Sequence, residues 1–165
     1  MDPNAVIEVF RRNVTEHYFD LKGRVRRQEF WYFVLATVVV YVAAAIVDAV
    51  IRTGLLVTLV ALALLLPMTG LGARRLQDTG RNGSLVWVWT IFSAIMQVIS
   101  LLTAISGPFG ALGFLYFFLS IGWLISLVAL IVSIVLIYFW TQPGVAGANE
   151  YGPDPKAGAD APKAA

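Results

Sequence analysis

The sequence contains no cysteine among its 165 residues, which excludes disulfides, thiolate nucleophiles and cysteine-ligated metals. Its single histidine, His17, is too few for a histidine-built metal centre, which usually needs two or three imidazoles. Charge is scarce as well: Asp, Glu, Lys and Arg make up 13% of the chain against 59% hydrophobic residues, and the mean hydropathy is +0.78. A soluble domain of this size cannot enclose so much apolar surface within itself, so lipid must cover it. No basic run is joined to a soluble reading domain, which argues against nucleic acid as a partner. No repeat at a solenoid period is present.

What remains is four long apolar runs separated by short polar breaks. A hydrocarbon layer of about 30 Å needs roughly 20 helical residues at about 1.5 Å each, and residues 30–51, 55–72, 85–105 and 115–140 approach or exceed that length. The predicted fold is an all-α membrane protein: four transmembrane helices within residues 30–140, an N-terminal amphipathic interfacial helix within 1–29, and a disordered C-terminal tail within 141–165. Ile7, Phe10, Val14 and Tyr18 fall on one helical face while Glu8, Arg11, Thr15 and Glu16 fall largely elsewhere, the pattern of a helix lying at the membrane surface. A basic turn around Gly23 follows, and Phe30-Trp31-Tyr32-Phe33 places an aromatic belt where the chain enters lipid.

The second span holds Pro67, whose missing N–H and ring clash predict a kink. Helix is expected to resume through Arg74 and Arg75 to about Asp78 and to stop at Thr79-Gly80. The third span ends at Ser106-Gly107-Pro108, a turn signal. The last run, residues 111–140, would be about 45 Å long as helix, too long for one upright crossing and too short for two. Its aromatic first third is read as either interfacial or membrane-spanning. From Thr141 onward Gly, Pro and Ala dominate, a composition that cannot fold alone, and disorder is expected beyond Pro155.

The topology turns on one charged island, residues 74–83, between the second and third runs. Flanked by two membrane helices, it must be a water-facing hairpin, and with four spans it shares a side with both termini. That side carries 11 of the 12 Lys and Arg residues, Arg52 alone lying opposite, so the positive-inside rule makes it the cytoplasm. Ala43-Ala44-Ala45 resembles a signal-peptidase site, but the roughly 30 residues of mixed charge before the apolar run are far too many for a signal peptide's basic leader.

Three stretches carry a resemblance: YFDLKGRVRRQEFW over residues 18–31, ARRLQDTGRNG over 73–83, and QPG at 142–144 with NEYGPDP at 149–155. In this order and at these separations they resemble the bacterial inner-membrane family called domain of unknown function 805, over about residues 6–155. The resemblance implies a compact multi-pass protein of the bacterial inner (plasma) membrane and brings no activity with it. Two positions depart from the family pattern, Gln77 where it commonly has His and Ser84 where it commonly has Trp. An amide does not titrate, which removes proton transfer from the first of them.

The distinctive chemistry lies in the charged layer. Arg74 and Asp78 are spaced i,i+4 and Arg75 and Asp78 i,i+3, while Asp20, Arg24 and Glu29 reach the same depth from the N-terminal segment. One reading is a structural ion-pair network in which Asp20, Glu29 and Asp78 hold the arginines and lock segment to hairpin. The other is an anion site, with Arg24, Arg74, Arg75 and Arg81 around glycine-containing turns taking a lipid phosphate or an acidic partner peptide. Gly80 and Gly83 are too loosely spaced for a nucleotide loop.

Within the membrane, Thr90, Ser93, Gln97 and Ser100 form a polar stripe on the third span, where an unpaired amide is costly. Such a stripe either joins helices by hydrogen bonds or lines a solute path. Asp48, the one acid inside a span, either pairs with Arg52 four residues on or couples a cation to transport.

Three function classes follow. The first is a non-catalytic binding or scaffold module whose basic cytoplasmic face takes anionic lipid or a partner protein. The second is a small oligomeric transporter or channel built on the polar stripe and Asp48, and the third a lipid head-group enzyme using Asp20, Asp78 or Glu29. The third is disfavoured because carboxylates set beside arginines suit ion pairing better than proton shuttling. Membrane lipids, anionic ones among them, and a second copy or another membrane protein are the expected partners; no catalytic residue, metal or cofactor is predicted.

Overall fold

The computed structural model describes residues 2–157. Five helices follow in order: α1 (Pro3–Thr15), α2 (Arg27–Ile51), α3 (Leu55–Asp78), α4 (Gly83–Gly107) and α5 (Phe109–Thr141). The last four are each long and apolar enough to cross a membrane, as the hydropathy pattern predicts. No strand forms among the described residues.

α3 is the axis of the bundle. α1, α2, α4 and α5 all pack on it, and its residues from Pro67 to Asp78 are almost all buried. The buried apolar core, which includes Phe30, Phe33, Leu71, Leu76, Val86 and Trp140, lies around this end of α3. The remaining lengths of α2, α4 and α5 present apolar side chains outward, as lipid-facing helices must.

Close packing on α3 follows from its small residues. At Gly70 the backbone of Asp20 crosses so near that a Cβ would stand 2.8 Å from the Asp20 carbonyl oxygen. α3 runs unbroken through Pro67. A proline at this position leaves the Ala63 carbonyl without its helical N–H, and the Tyr18 hydroxyl donates to it instead at 2.7 Å. The helix stops where expected: Gly80 adopts φ +72°, its N–H bonds to Gln77 O at 3.1 Å, and Arg81 N–H bonds to Leu76 O at 3.0 Å. These are the two closing bonds of a Schellman motif, which a residue with positive φ makes possible.

α1 starts with Asp2 accepting from Asn4 N–H at 2.9 Å and with proline in its first turn, both favoured there. It runs antiparallel along α2, with Phe10 stacked on Phe33 at 5.4 Å and Arg12 paired with Glu29. Ile7, on the expected apolar side, stays 65% exposed, free to meet lipid. Between α4 and α5 the chain reverses at Gly107 (φ 60°, ψ −139°), and Gly110 packs directly on Thr103 and Ser106. The first third of the long apolar run is therefore helix set against α4, with Phe114 and Phe117 bordering a shallow groove opposite Ile99 and Leu102. A π-helical turn at Phe118–Gly122 interrupts α5.

Candidate functional site

Neighbouring residues on a helix point about 100° apart, so Arg74 and Arg75 serve different partners. Arg75 has no solvent exposure and turns to the end of α5. Its Nε donates to Trp140 O at 3.0 Å, its Nη1 to Val25 O at 3.4 Å and to the Asp78 carboxylate, and its Nη2 to Gln142 O. Carbonyls at a helix C-terminus lack helical partners and form the negative pole of its dipole, so a buried guanidinium suits the end of α5. Arg27 Nη1 adds a bond to Thr141 O at 3.3 Å.

Asp78 receives Arg75 on one carboxylate oxygen and Arg24 Nε on the other at 3.0 Å. The Arg24 and Asp78 side chains are 2% and 5% exposed, and charges so sealed persist only when paired and hydrogen-bonded. Arg24 completes its bonding on the C-terminal segment, donating to Val145 O at 2.5 Å, Gly147 O at 2.6 Å and Gly152 O at 3.4 Å.

That segment, read from composition as unable to fold alone, is held against the layer. Val145 N–H donates to Asp78 O at 2.8 Å, Asn149 Nδ2 to Gln77 O at 3.0 Å, and Arg26 Nε to Pro155 O at 2.6 Å. Asn149 accepts from Tyr151 N–H, and Asp154 accepts from Lys156 N–H at 2.9 Å and Gly147 N–H at 3.0 Å, the local turns Asn and Asp favour. The bonds from Lys156 and then Gly147 hold the Asp154 carboxyl below its usual range. Gly144 sits directly on the Asp78 carboxylate, where a Cβ has no room. The disorder expected beyond Pro155 falls, past Ala157, outside the described residues.

Of the four anticipated anion ligands, only Arg24 and Arg75 meet, at Asp78. Arg74 faces α1 and donates Nη2 to Asn13 Oδ1 at 2.8 Å, so its i,i+4 pair with Asp78 does not form. The Arg81 guanidinium lies 4.2 Å over the Phe139 ring, a cation–π contact. Of the three anticipated acids only Asp78 reaches the buried arginines. Glu29 pairs with Arg12 at 3.1 Å, and Asp20, with His17 at 3.3 Å, is 42% exposed. Gln77 donates to Leu21 O at 2.9 Å, leaving its Oε1 buried without a protein partner. Asn13 was within reach of the pattern, being the one polar residue between Phe10 and Val14 on the inward side of α1. The carbonyls of residues 140–155 were not, because every residue type carries one.

The intramembrane stripe divides. Thr90 shares a hydrogen bond with Thr69 at 2.9 Å and Ser100 with Thr58 at 3.2 Å, so its two ends join α4 to α3. Ser93 and Gln97 instead border a groove between α2, α3 and α4. Asp48 bonds to none of them. Its carboxylate accepts from Thr53 Oγ1 at 2.8 Å, Leu56 N–H at 3.3 Å and Val57 N–H at 2.7 Å, capping the free N–H groups that open α3. The expected pair with Arg52 is absent, since Arg52 has left the helix with φ 56° and is exposed.

Where α2 begins and α5 ends, a cavity of about 310 Å³ opens between Arg26, Arg27, Gln28, Pro143, Gly144 and Lys156, and the Arg75–Asp78 pair also lines it. Four cations surround it against one carboxylate, a balance that suits an anion.

Four membrane-crossing helices, sealed at one end by buried arginines and a returning C-terminal segment, define a small multi-pass membrane protein most of whose charged groups gather at one face. Residues 18–153 match the family described as protein of unknown function (DUF805), and the chain belongs to that family. It is similar to inner membrane protein YhaI of Escherichia coli strain K12, 30% identical over 150 residues that cover 90% of this chain and 96% of that one. It is also similar to inner membrane protein YhaH of the same organism, 29% identical over 149 residues, covering 87% and 93% respectively. No solved structure matches the chain. With its four apolar helices, this is a multi-pass protein of the inner membrane.

Proposed function

We propose that the protein is a non-catalytic binding module that presents its basic face to the cytoplasm and holds there the phosphate of an anionic lipid. The supporting observation is the cavity at the ends of α2 and α5. Arg24, Arg74 and Arg75 direct their bonds at Asp78, Asn13 and backbone carbonyls, whereas Arg26 gives only Nε and Arg27 only Nη1 to protein carbonyls. Most of the N–H groups at the cavity mouth are therefore left for a ligand. Gln28 bonds to the Tyr32 hydroxyl one turn along α2 at 2.7 Å, which sets the cavity beside the aromatic belt, at head-group depth. The cytoplasmic orientation rests on the positive-inside count.

Native mass spectrometry in mild detergent tests this. The wild-type protein, offered phosphatidylglycerol and phosphatidylcholine in equal amounts, is expected to retain the former, and the triple variant Arg26→Gln, Arg27→Gln, Lys156→Gln to lose that preference at least tenfold while unfolding at the same temperature. Equal retention by the folded variant rejects the reading. Because the chain has no native cysteine, labelling of a single Asn82→Cys variant reports orientation cleanly. Reaction with a membrane-impermeant thiol reagent in intact cells would place the basic face outside.

A further inference from the structure

Thr37 departs from a rule that other helical threonines here obey. Thr15, Thr58 and Thr103 each donate their hydroxyl to the carbonyl four residues earlier, the local way to satisfy a hydroxyl within a helix, and in the bonded Thr69–Thr90 pair one hydroxyl donates to such a carbonyl while the other donates to its partner. Thr37 does neither. It is 8% exposed, and its Oγ1 is buried with no protein partner. It lines a groove of about 210 Å³ between α2, α3 and α4, together with Tyr41, Ser93 and Gln97. The two α2 residues are one turn apart, as are the two on α4. Among the described residues, none of these four side chains forms a hydrogen bond within the protein.

We infer that this groove binds the uncharged, carbonyl-bearing ring of a lipid-soluble carrier of the quinone class. Depth supplies the first argument. Tyr41 and Gln97 stand near the midpoints of α2 (Arg27–Ile51) and α4 (Gly83–Gly107), where a charge is expensive and where phospholipid phosphates do not reach. A polar group at that level must be neutral and carried on an apolar chain.

Chemistry supplies the second argument. Three hydroxyls and an amide are all able to donate, and ring carbonyls accept; the same hydroxyls accept from the hydroquinone form. Size supplies the third, since the volume falls below the ~300 Å³ at which drug-sized pockets begin and so admits a single ring. Trp89 and Tyr41 give the groove aromatic walls. The site holds the ring; no redox step is assigned to it. It lies apart from the cytoplasmic cavity and stands or falls independently of it.

Trp89 is the reporter, because a quinone in contact quenches indole emission. The protein in detergent micelles is titrated with decylubiquinone, and the part of the signal absent from Trp89→Phe is read as the groove. Saturable quenching is expected, weakened at least tenfold in Thr37→Val and in Gln97→Leu, close to wild type in Thr37→Ser, and not relieved by excess decylbenzene, which has ring and tail but no carbonyl. Quenching that never saturates, or that is unchanged in Thr37→Val and Gln97→Leu, overturns the inference. So does full relief by decylbenzene, which would make the groove a slot for any apolar chain. A shift from dimer to monomer in Gln97→Leu, with quenching unaffected, also overturns it and gives the groove to a second copy of the chain. Thermal unfolding identifies any variant that has lost its fold, and Gln97→Met then replaces Gln97→Leu.

Discussion

Replacing Arg75 with Met keeps an unbranched apolar stem and removes every hydrogen bond that the guanidinium donates. Trp140 O, Gln142 O and Val25 O lose a donor, and Asp78 is left with Arg24 alone. An exposed ion pair is worth about 0–1 kcal/mol, whereas removing one partner from a buried pair costs about 3–5 kcal/mol. With Arg75 wholly enclosed, the larger figure applies, and a loss of about 4 kcal/mol corresponds to roughly a thousandfold change in the folding equilibrium. Unfolding by SDS titration in mixed micelles, followed by tryptophan fluorescence, measures it.

Asp78→Asn added to Arg75→Met is expected to cost less than the two single changes summed, with a coupling of about 1–3 kcal/mol, because groups in one network are not additive. Arg75→Lys should fall between wild type and Arg75→Met, since an ammonium is a point charge that cannot match the planar fork of the guanidinium. Single losses below about 1 kcal/mol that simply add would reduce the layer to an ordinary surface pair and refute the reasoning.

Tyr18→Phe is expected to cost up to about 1 kcal/mol in wild type and less in a Pro67→Ala background, where Ala63 O regains its helical donor; equal costs in both would disconnect Tyr18 from the proline. Gly144→Ala should drive the tail away from the Asp78 carboxylate, seen as faster amide exchange at Val145 and Asn149, and unchanged exchange would contradict the contact. Asp154 is held below the usual carboxyl range by Lys156 and Gly147 N–H, so its hold on the tail is present above the ordinary carboxyl pKa and is lost as pH falls through its lowered value. Exchange at Gly147 is then expected to exceed the intrinsic trend only below about pH 4, and Asp154→Asn should abolish that acid step. Thr69→Val with Thr90→Val should cost less than the two single changes summed, because either one alone already removes the hydrogen bond the two hydroxyls share and leaves the other hydroxyl on its own helical carbonyl; strictly additive costs would contradict the contact.

Legibility tracked how many residue types can satisfy each requirement. Lipid accepts only long apolar helices, so four runs were enough to define four spans. Gly80 announced the end of α3 because few other residues take a positive φ there. The partners of the arginines were hidden for the opposite reason. Arg24 and Arg75 rest mainly on backbone carbonyls more than 60 residues away, and a carbonyl leaves no mark on residue type. The motif at residues 149–155 makes sense only once Asn149 is seen on Gln77 O and Pro155 O under Arg26. The expected Asp48–Arg52 pair does not form because i,i+4 pairing presumes a continuous helix. α2 ends at Ile51, which frees the carboxylate to serve the next helix.

The acceptors of Arg75 at Trp140 and Gln142 stand 65 and 67 residues downstream of it. On the ribosome, α2 and α3 are complete while those carbonyls are still untranslated, and Arg24 and Arg75 then have the Asp78 carboxylate and the Val25 carbonyl as the acceptors already made. The finished layer thus depends on the end of the chain: one broken off before its last helix would leave two guanidiniums sharing the single Asp78 carboxylate, without the carbonyls of Trp140, Gln142, Val145, Gly147 and Gly152 that complete their bonding.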